Sequence, residues 1–488
     1  MAYRIESIEL FVRDLPPDRM GFVIGKVKAK RRARGVWLCR MVVSDDQGRV
    51  TWGVAGDRPS FGWLDKREKF SSEQKYDRLK RLVEAARKVY LANAKFKSPF
   101  AQWHRCHAEV QKLGRARDHE SLTASFASAL FERAMLDAVC RLHGKSIFEM
   151  LRDGRLGLDP GRVHPELKEV QFSKIMPRKP LSEIFIRHTV GLGDPLTDGN
   201  DEDAPKDGLP YTLEECIETY GLDYFKVKLC GDLKKDVPRL RQLHEVFSRC
   251  ASADYKMTLD GNEQFSDIAA FVEHWKVYQE DEAIRELLEH LLMVEQPLHR
   301  DHALGDEVKE ALAFWPEAPL MIIDESEADL SSLPRALGLG YSGTSHKNCK
   351  GVVKGIVNAC LLEQRRRENP GKEYLLSGED LANVGPVALL QDLSVMAFLG
   401  IDHVERNGHH YFRGLSMYPE DVQETVLVEH GDLYRKHEGG FPTLEIRDGN
   451  LELGTVVGAP FGVVPLLDVS QFSTLDAWLE EEGLGDSL

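Results

Sequence analysis

Eight short apolar runs follow one another from residue 184 onward in this 488-residue chain, at residues 184–186, 224–229, 255–259, 291–294, 320–323, 341–345, 374–376 and 403–404. Helically patterned segments separate them, and the step is mostly about 25–35 residues, the length of one βα unit. Parallel strands that alternate with helices must be covered on both faces. A sheet that repeats the unit eight times over roughly 250 residues reaches that state by closing into a (β/α)8 barrel. The first interval is wider because it holds an acidic, Gly- and Pro-rich stretch at 194–208, expected to be a flexible excursion. The fold class expected is therefore α/β, a (β/α)8-type barrel.

The chain outside these runs reads differently. Residues 4–13 carry Ile5, Ile8, Leu10 and Val12, and two further strand patterns at 35–43 and 50–54 flank the turn residues Asp45-Asp46-Gln47-Gly48, so a meander is expected. Residues 21–34 are rich in Lys, Arg and Gly and read as a loop that is either solvated or faces substrate. Tyr76, Leu79, Leu82, Val83, Ala86 and Val89 share one face of a helix, and 134–140 reads as a helix stopped by Gly144-Lys145. Small strands near 444–446, 451–453 and 463–467 are expected to return to the first domain. An α+β capping domain at 1–180, a barrel at 181–435 and a returning segment at 436–488 follow.

The net charge of −15 argues against nucleic acid as a partner. No stretch approaches the roughly 20 apolar residues of a membrane span, and Met1 to Glu6 does not open a signal peptide. The eight cysteines are scattered without a C-x-x-C pair, as expected of reduced thiols in a cytoplasmic protein.

Chemistry gathers at the ends of the runs. Lys226 and Lys228 are two residues apart in the second run and share one face of the strand. On an edge strand they would face water; inside a barrel they need anionic partners. Asp260, Glu295 and Asp324 end the third, fourth and fifth runs, and Lys347 follows the sixth. Active sites of such barrels lie at the carboxyl ends of the strands. Three carboxylates directed there repel one another and call for a divalent cation, and oxygen-only ligands suit Mg2+, with Mn2+ as the alternative. Lys228 and Lys347, flanking them, form a candidate acid/base pair, and Lys226 beside Lys228 disfavours a second positive charge there. Asn262 is placed to hold a ligand water or simply to turn the chain. Glu379, after the seventh run, is placed to touch substrate or to pair with a lysine. His409 and His410 read as surface residues, and Glu263, Glu325 and Glu327 as solvated loop carboxylates.

The order Lys-x-Lys, Asp, Glu, Asp, Lys resembles the enolase superfamily and, within it, the muconate-lactonizing-enzyme group of the mandelate racemase/muconate lactonizing enzyme family. The segments 43–53, 134–145 and 444–464 are similar to that family's capping strand pair, cap helix and returning segment. The resemblance implies abstraction of a proton alpha to a carboxylate, with an enolate intermediate leading to isomerisation, cycloisomerisation or elimination. It also implies Lys228 and Lys347 as the acid/base pair, Lys226 as an orienting group and a small-molecule carboxylate as substrate; a homo-oligomer is expected. Gly351-Val352 stands where the family has paired glycines, no histidine lies on the seventh run, and Val54 replaces a common glutamate. The alternatives are an acid-sugar dehydratase that uses Lys228 with another acid, such as Glu379 or a histidine, and a ligand-binding barrel without catalysis. The cap segments 21–34 and 58–63 are expected to set specificity.

Overall fold

The computed structural model describes residues 2–15, 19–20, 23–24, 27–28, 35–197, 204–464 and 467–481. Apart from the short strands Val23–Ile24 and Val27–Lys28, the basic segment 21–34 lies outside the described residues, as does 198–203 of the acidic stretch.

Eight parallel strands form the barrel: Glu183–Val190, Tyr224–Lys228, Lys256–Asp260, Leu291–Glu295, Met321–Ile323, Gly343–His346, Leu375–Gly378 and His403–Arg406. Each pairs with the next, and the eighth pairs in parallel with the first through His403↔Phe185 to Arg406↔His188, which closes the ring. The second strand is therefore no edge. It is hydrogen-bonded to the first on one side and to the third on the other. Alternation sends Phe225 and Val227 outward, with Phe225 4.3 Å from the Phe247 ring of the following helix, and turns Lys226 and Lys228 into the barrel.

In the cap, Tyr3–Arg13, Val36–Asp45 and Val50–Asp57 form the expected antiparallel meander. Helix Ser72–Ala92, opened by a capping box of Ser71 and Gln74, buries Tyr76, Leu79, Leu82, Val83, Ala86 and Val89, the face read from the sequence. Helix Ser121–His143 is buried on nearly every side and stops at Gly144, which takes the left-handed conformation. Gly53 lets this helix approach the sheet: a Cβ there would sit 2.2 Å from the backbone nitrogen of Ala138. Arg133 on the same helix is fully buried and binds the Asp57 carboxylate at 2.7 Å and the carbonyl of Gly56 at 2.9 Å.

The end of the chain joins both bodies. Asn450–Glu452 pairs with the start of the first barrel strand, and Ser473–Thr474 pairs with Phe11 and Val12. The flanks of the acidic stretch are tied down rather than free. Asp194 is buried against the Gly191 N–H at 2.7 Å and the Tyr411 hydroxyl at 2.6 Å, and Asp207 pairs with Arg19 at 2.5 Å.

Cap and barrel also meet at Glu132, which accepts the N–H of Val353 at 2.6 Å in the first turn of helix Val352–Glu368. Its second oxygen is buried without a hydrogen-bond partner. Burial pushes this carboxyl up to about 7, against the opposing pull of the Val353 N–H and Arg133. A folded-state value above the unfolded one means that the folded chain holds the proton more tightly. Stability therefore falls as pH rises from about 4 to 7 and stays at its lower level beyond. Glu132→Gln keeps an acceptor for Val353 and removes the titration. It is expected to exceed the wild type in stability at pH 8 by on the order of 1–3 kcal/mol, with no difference at pH 4. Urea melts at the two pH values check this, and an equal difference at both would contradict it.

Candidate active site

The third and fourth strands end in register at Asp260 and Glu295, and Asp324 follows the fifth. All three are buried at the carboxyl end of the barrel. Lys226 stands among the carboxylates, 3.0 Å from Asp260, 2.6 Å from Glu295 and 3.2 Å from Glu405, and in contact with Glu379. Burial alone would lower this lysine, but the four carboxylates hold it well above its ordinary value. Lys228 donates to Asp260 Oδ2 at 2.5 Å.

Lys347 approaches from the other wall and donates to Asp324 Oδ2 at 2.9 Å. The second and sixth strands are four apart in a ring of eight, so the two lysines face one another across the barrel. Burial would lower Lys347 too, and the Asp324 carboxylate overrides it. Lys350 serves differently. Its ammonium is spent on four acceptors: Asp324 O and Oδ1, both at 2.9 Å, and Ser345 Oγ and O at 3.0 and 3.1 Å. It braces Asp324 from below, together with the Ser345 hydroxyl at 2.5 Å.

The cap reaches this mouth through the short helix Phe61–Leu64. Trp63 donates its indole N–H to Glu325 Oε1 at 3.1 Å, and its ring lies 5.2 Å from Lys347 Nζ. Arg300 holds the carbonyl of Trp63 at 2.8 Å. Lys66 donates to the carbonyl of Asn262 at 3.1 Å and pairs with Glu263. Asn262 adopts a positive φ of 41°; its backbone N–H binds Asp260 Oδ1 at 2.8 Å, and its amide lies 3.3 Å from Glu325.

Several sequence expectations need correction. Glu263, Glu325 and Glu327 are buried, not solvated, because each has found partners. Glu263 takes Arg300 at 2.7 Å and also Lys66. Glu327 takes Lys354 at 2.8 Å and the Asn358 amide at 3.0 Å. Glu325 is pushed up to about 7 by burial and by the carboxylates of Glu263 and Asp324. His409 and His410 are buried on the short helix Gly408–Tyr411, not on the surface.

Two contributors were not anticipated, Glu405 and Arg187, and a third, Trp63, belongs to the cap segment 58–63 that was expected to set specificity. Glu405 occupies the eighth strand, where Thr189 donates to it at 2.9 Å. Arg187, fully buried on the first strand, binds Glu379 together with the Ser377 hydroxyl. Burial and the nearby Glu405 push Glu379 up, whereas Lys226, Lys228 and Lys347 hold Glu405 well below the usual carboxylate range despite its burial.

The donor set fits a hard divalent cation. Glu295 Oε2 meets the Lys226 ammonium at 2.6 Å, whereas its Oε1 is buried without a partner. Burial, Asp260 and Glu379 together push this carboxyl well above its ordinary value, as a carboxylate among carboxylates must be until positive charge arrives. The three carboxylates do not all come within 4.8 Å of one another. Among the described residues, the histidine, cysteine and carboxylate trios that do are His188, Cys216 and His410, and Glu214, Glu218 and Cys250.

No protein-family model matches the chain, and no curated protein matches it by sequence. Among solved structures, the chain has the fold of mandelate racemase and muconate lactonizing enzymes, a capped (β/α)8 barrel. Muconate lactonizing enzyme from Pseudomonas fluorescens, complexed with muconolactone, is 14% identical with a TM-score of 0.56, over 99% of each chain. An enolase from Bradyrhizobium, complexed with magnesium and mandelic acid, is 13% identical at TM-score 0.56, over 97% of this chain and 99% of that one. Dipeptide epimerase from Enterococcus faecalis V583, complexed with Mg and the dipeptide L-Leu-L-Tyr, is 14% identical at TM-score 0.56, over 94% and 99%.

Proposed function

We propose that the chain is an enolase-superfamily enzyme that removes the proton alpha to the carboxylate of a small-molecule substrate, giving an enolate that is isomerised, cyclised or loses a leaving group. The observation that carries this reading is the opposition of Lys228 and Lys347. Lys228 ends the second strand and Lys347 directly follows the sixth, on facing walls, each hydrogen-bonded to a different carboxylate of the Asp260, Glu295 and Asp324 set.

Asp260, Glu295 and Asp324 would hold Mg2+, which in such sites offsets the negative charge that develops on a substrate carboxylate. The chain's own residues do the rest. One of Lys228 and Lys347 takes the α-proton onto its Nζ, and the other delivers a proton or steadies charge on the opposite face. Lys226 stays charged, fastened by Glu379 and Glu405, and presents fixed positive charge where the enolate forms. The Trp63 ring lies over the Lys347 ammonium at 5.2 Å and favours its charged form.

The dehydratase alternative loses support. Glu379 is committed to Arg187, Ser377 and Lys226, and His409 and His410 pack outside the strands, against Tyr220 and Cys216 of the helix that follows the first strand.

The test is a panel of carboxylates incubated in D2O with Mg2+. At least one is expected to incorporate deuterium at its α-carbon, and a chelator is expected to stop it. No exchange with any member, or exchange indifferent to the chelator, would sink the reading.

A further inference from the structure

The barrel carries a second group of metal-ligating side chains, outside the strands and built from different donors. On the first strand Arg187 and Thr189 point inward, to Glu379 and Glu405, so His188 between them points outward. It meets Cys216 of helix Leu213–Tyr220, the helix that follows that strand, and His410 of helix Gly408–Tyr411, which follows the eighth strand. Closure of the barrel makes these elements neighbours. A ring nitrogen of His188, the sulfur of Cys216 and a ring nitrogen of His410 all lie within 4.8 Å of one another, and all three residues are buried.

We propose that His188, Cys216 and His410 bind one transition-metal ion of the zinc class. Imidazole and thiolate select such ions over Mg2+, which the all-oxygen site prefers. The spacing is right: Cys216 Sγ and His410 Nδ1 are 3.6 Å apart, against roughly 3.5 Å for a sulfur and a nitrogen on a tetrahedral zinc with bonds near 2.3 and 2.0 Å.

A second, independent feature points the same way. His188 Nδ1 is 3.1 Å from His409 Nε2, which leaves the other His188 nitrogen to act as a ligand. A metal-bound histidine is held in this manner by a partner on its far nitrogen. The remaining nitrogen of His409, Nδ1, is buried without any partner, and His409 is only 6% exposed.

The imidazoles are in the form a metal needs. Burial holds His188 down to about 4, and burial with His188 and His409 holds His410 well below its ordinary value, so both are neutral. Cys216 is a protonated thiol in the apo state. Binding exchanges the S–H bond for a metal–sulfur bond and releases one proton to solvent. The fourth position is left to water. The bound ion would staple the first strand, its helix and the segment after the eighth strand, at the seam where the barrel closes.

The test uses the full chain, stripped with a chelator and then saturated with Mg2+. Titrated with Co2+, it is expected to take up one equivalent with a thiolate-to-cobalt charge-transfer absorption, and Zn2+ is expected to displace it. Cys216→Ser is expected to lose that absorption. His409→Ala is expected to keep it and to bind about 10–100-fold more weakly, as a positioning residue would. A wild type without the absorption, or an absorption that survives in Cys216→Ser, would overturn the proposal. If Cys216→Ser does not fold, X-ray absorption of the zinc-loaded wild type decides. One sulfur near ~2.3 Å with imidazole nitrogens near ~2.0 Å is expected, and a shell of oxygens alone would refute it. Neither outcome bears on α-proton exchange at the barrel mouth.

Discussion

Lys347→Ala is expected to slow exchange of a substrate's α-proton by about 10²–10⁴-fold with Mg2+ present, the range over which a positioned acid or base acts. The substitution removes one donor from Asp324, but Lys350 and Ser345 still hold that carboxylate at 2.9 and 2.5 Å. The loss should therefore fall on proton transfer rather than on folding or metal affinity. Lys350→Met is the informative contrast. Lys350 sits behind Asp324, fixing its Oδ1 and carbonyl and bonding Ser345, so its loss should weaken Mg2+ binding and leave exchange nearly intact at saturating metal. Exchange monitored by NMR, with Mg2+ affinity measured alongside, separates the two lysines. A Lys347→Ala variant that exchanges at the wild-type rate would end the two-lysine mechanism.

Arg133→Met is expected to cost about 3–5 kcal/mol of folding stability, the effect of removing one partner of a buried ion pair. Both partners are fully buried. The guanidinium also donates to the carbonyls of Gly56 and Ala129, so its loss removes three buried hydrogen bonds at once. Asp57 is already pushed up by burial and is restrained by Arg133. Replacing both, as Arg133→Met with Asp57→Leu, should recover much of the loss, because the uncompensated charge is then gone. Urea unfolding of the two variants checks this. A single variant as stable as the wild type would mean that water reaches the pair.

The barrel was legible because its signal is a rhythm, and a rhythm survives loss of detail. Short apolar runs at a βα step imply closure whatever the helices look like. Asp260 and Glu295 were legible because they end strands whose apolar body is unmistakable. Glu405 was not, although it occupies the same kind of position. The eighth run was read as only two residues, His403 and Val404, so the alternation that turns Glu405 inward had nothing to count from. Arg187 escaped for the same reason: the first run was read only to 186, whereas the strand continues to Val190.

The misplaced carboxylates teach something different. Glu263 and Glu325 read as wet because their cap partners, Lys66 and Trp63, lie 197 and 262 residues earlier in the chain. No local pattern reports a neighbour brought by tertiary structure. The same holds for His409 and His410, whose burial depends on the helix that follows the first strand.

The pairing of Phe11 and Val12 with Ser473 and Thr474 joins strands from opposite ends of the sequence. During synthesis the first cap strand leaves the ribosome early, while its neighbour on this edge emerges only after all eight barrel strands. Closing so long a loop is entropically costly unless the intervening chain is already compact. The nascent chain must therefore carry an open sheet edge until the segment beyond the last barrel strand has emerged, and an open edge is where a second chain can pair. The last short strand thus acts as a stopper on aggregation as well as a fastening.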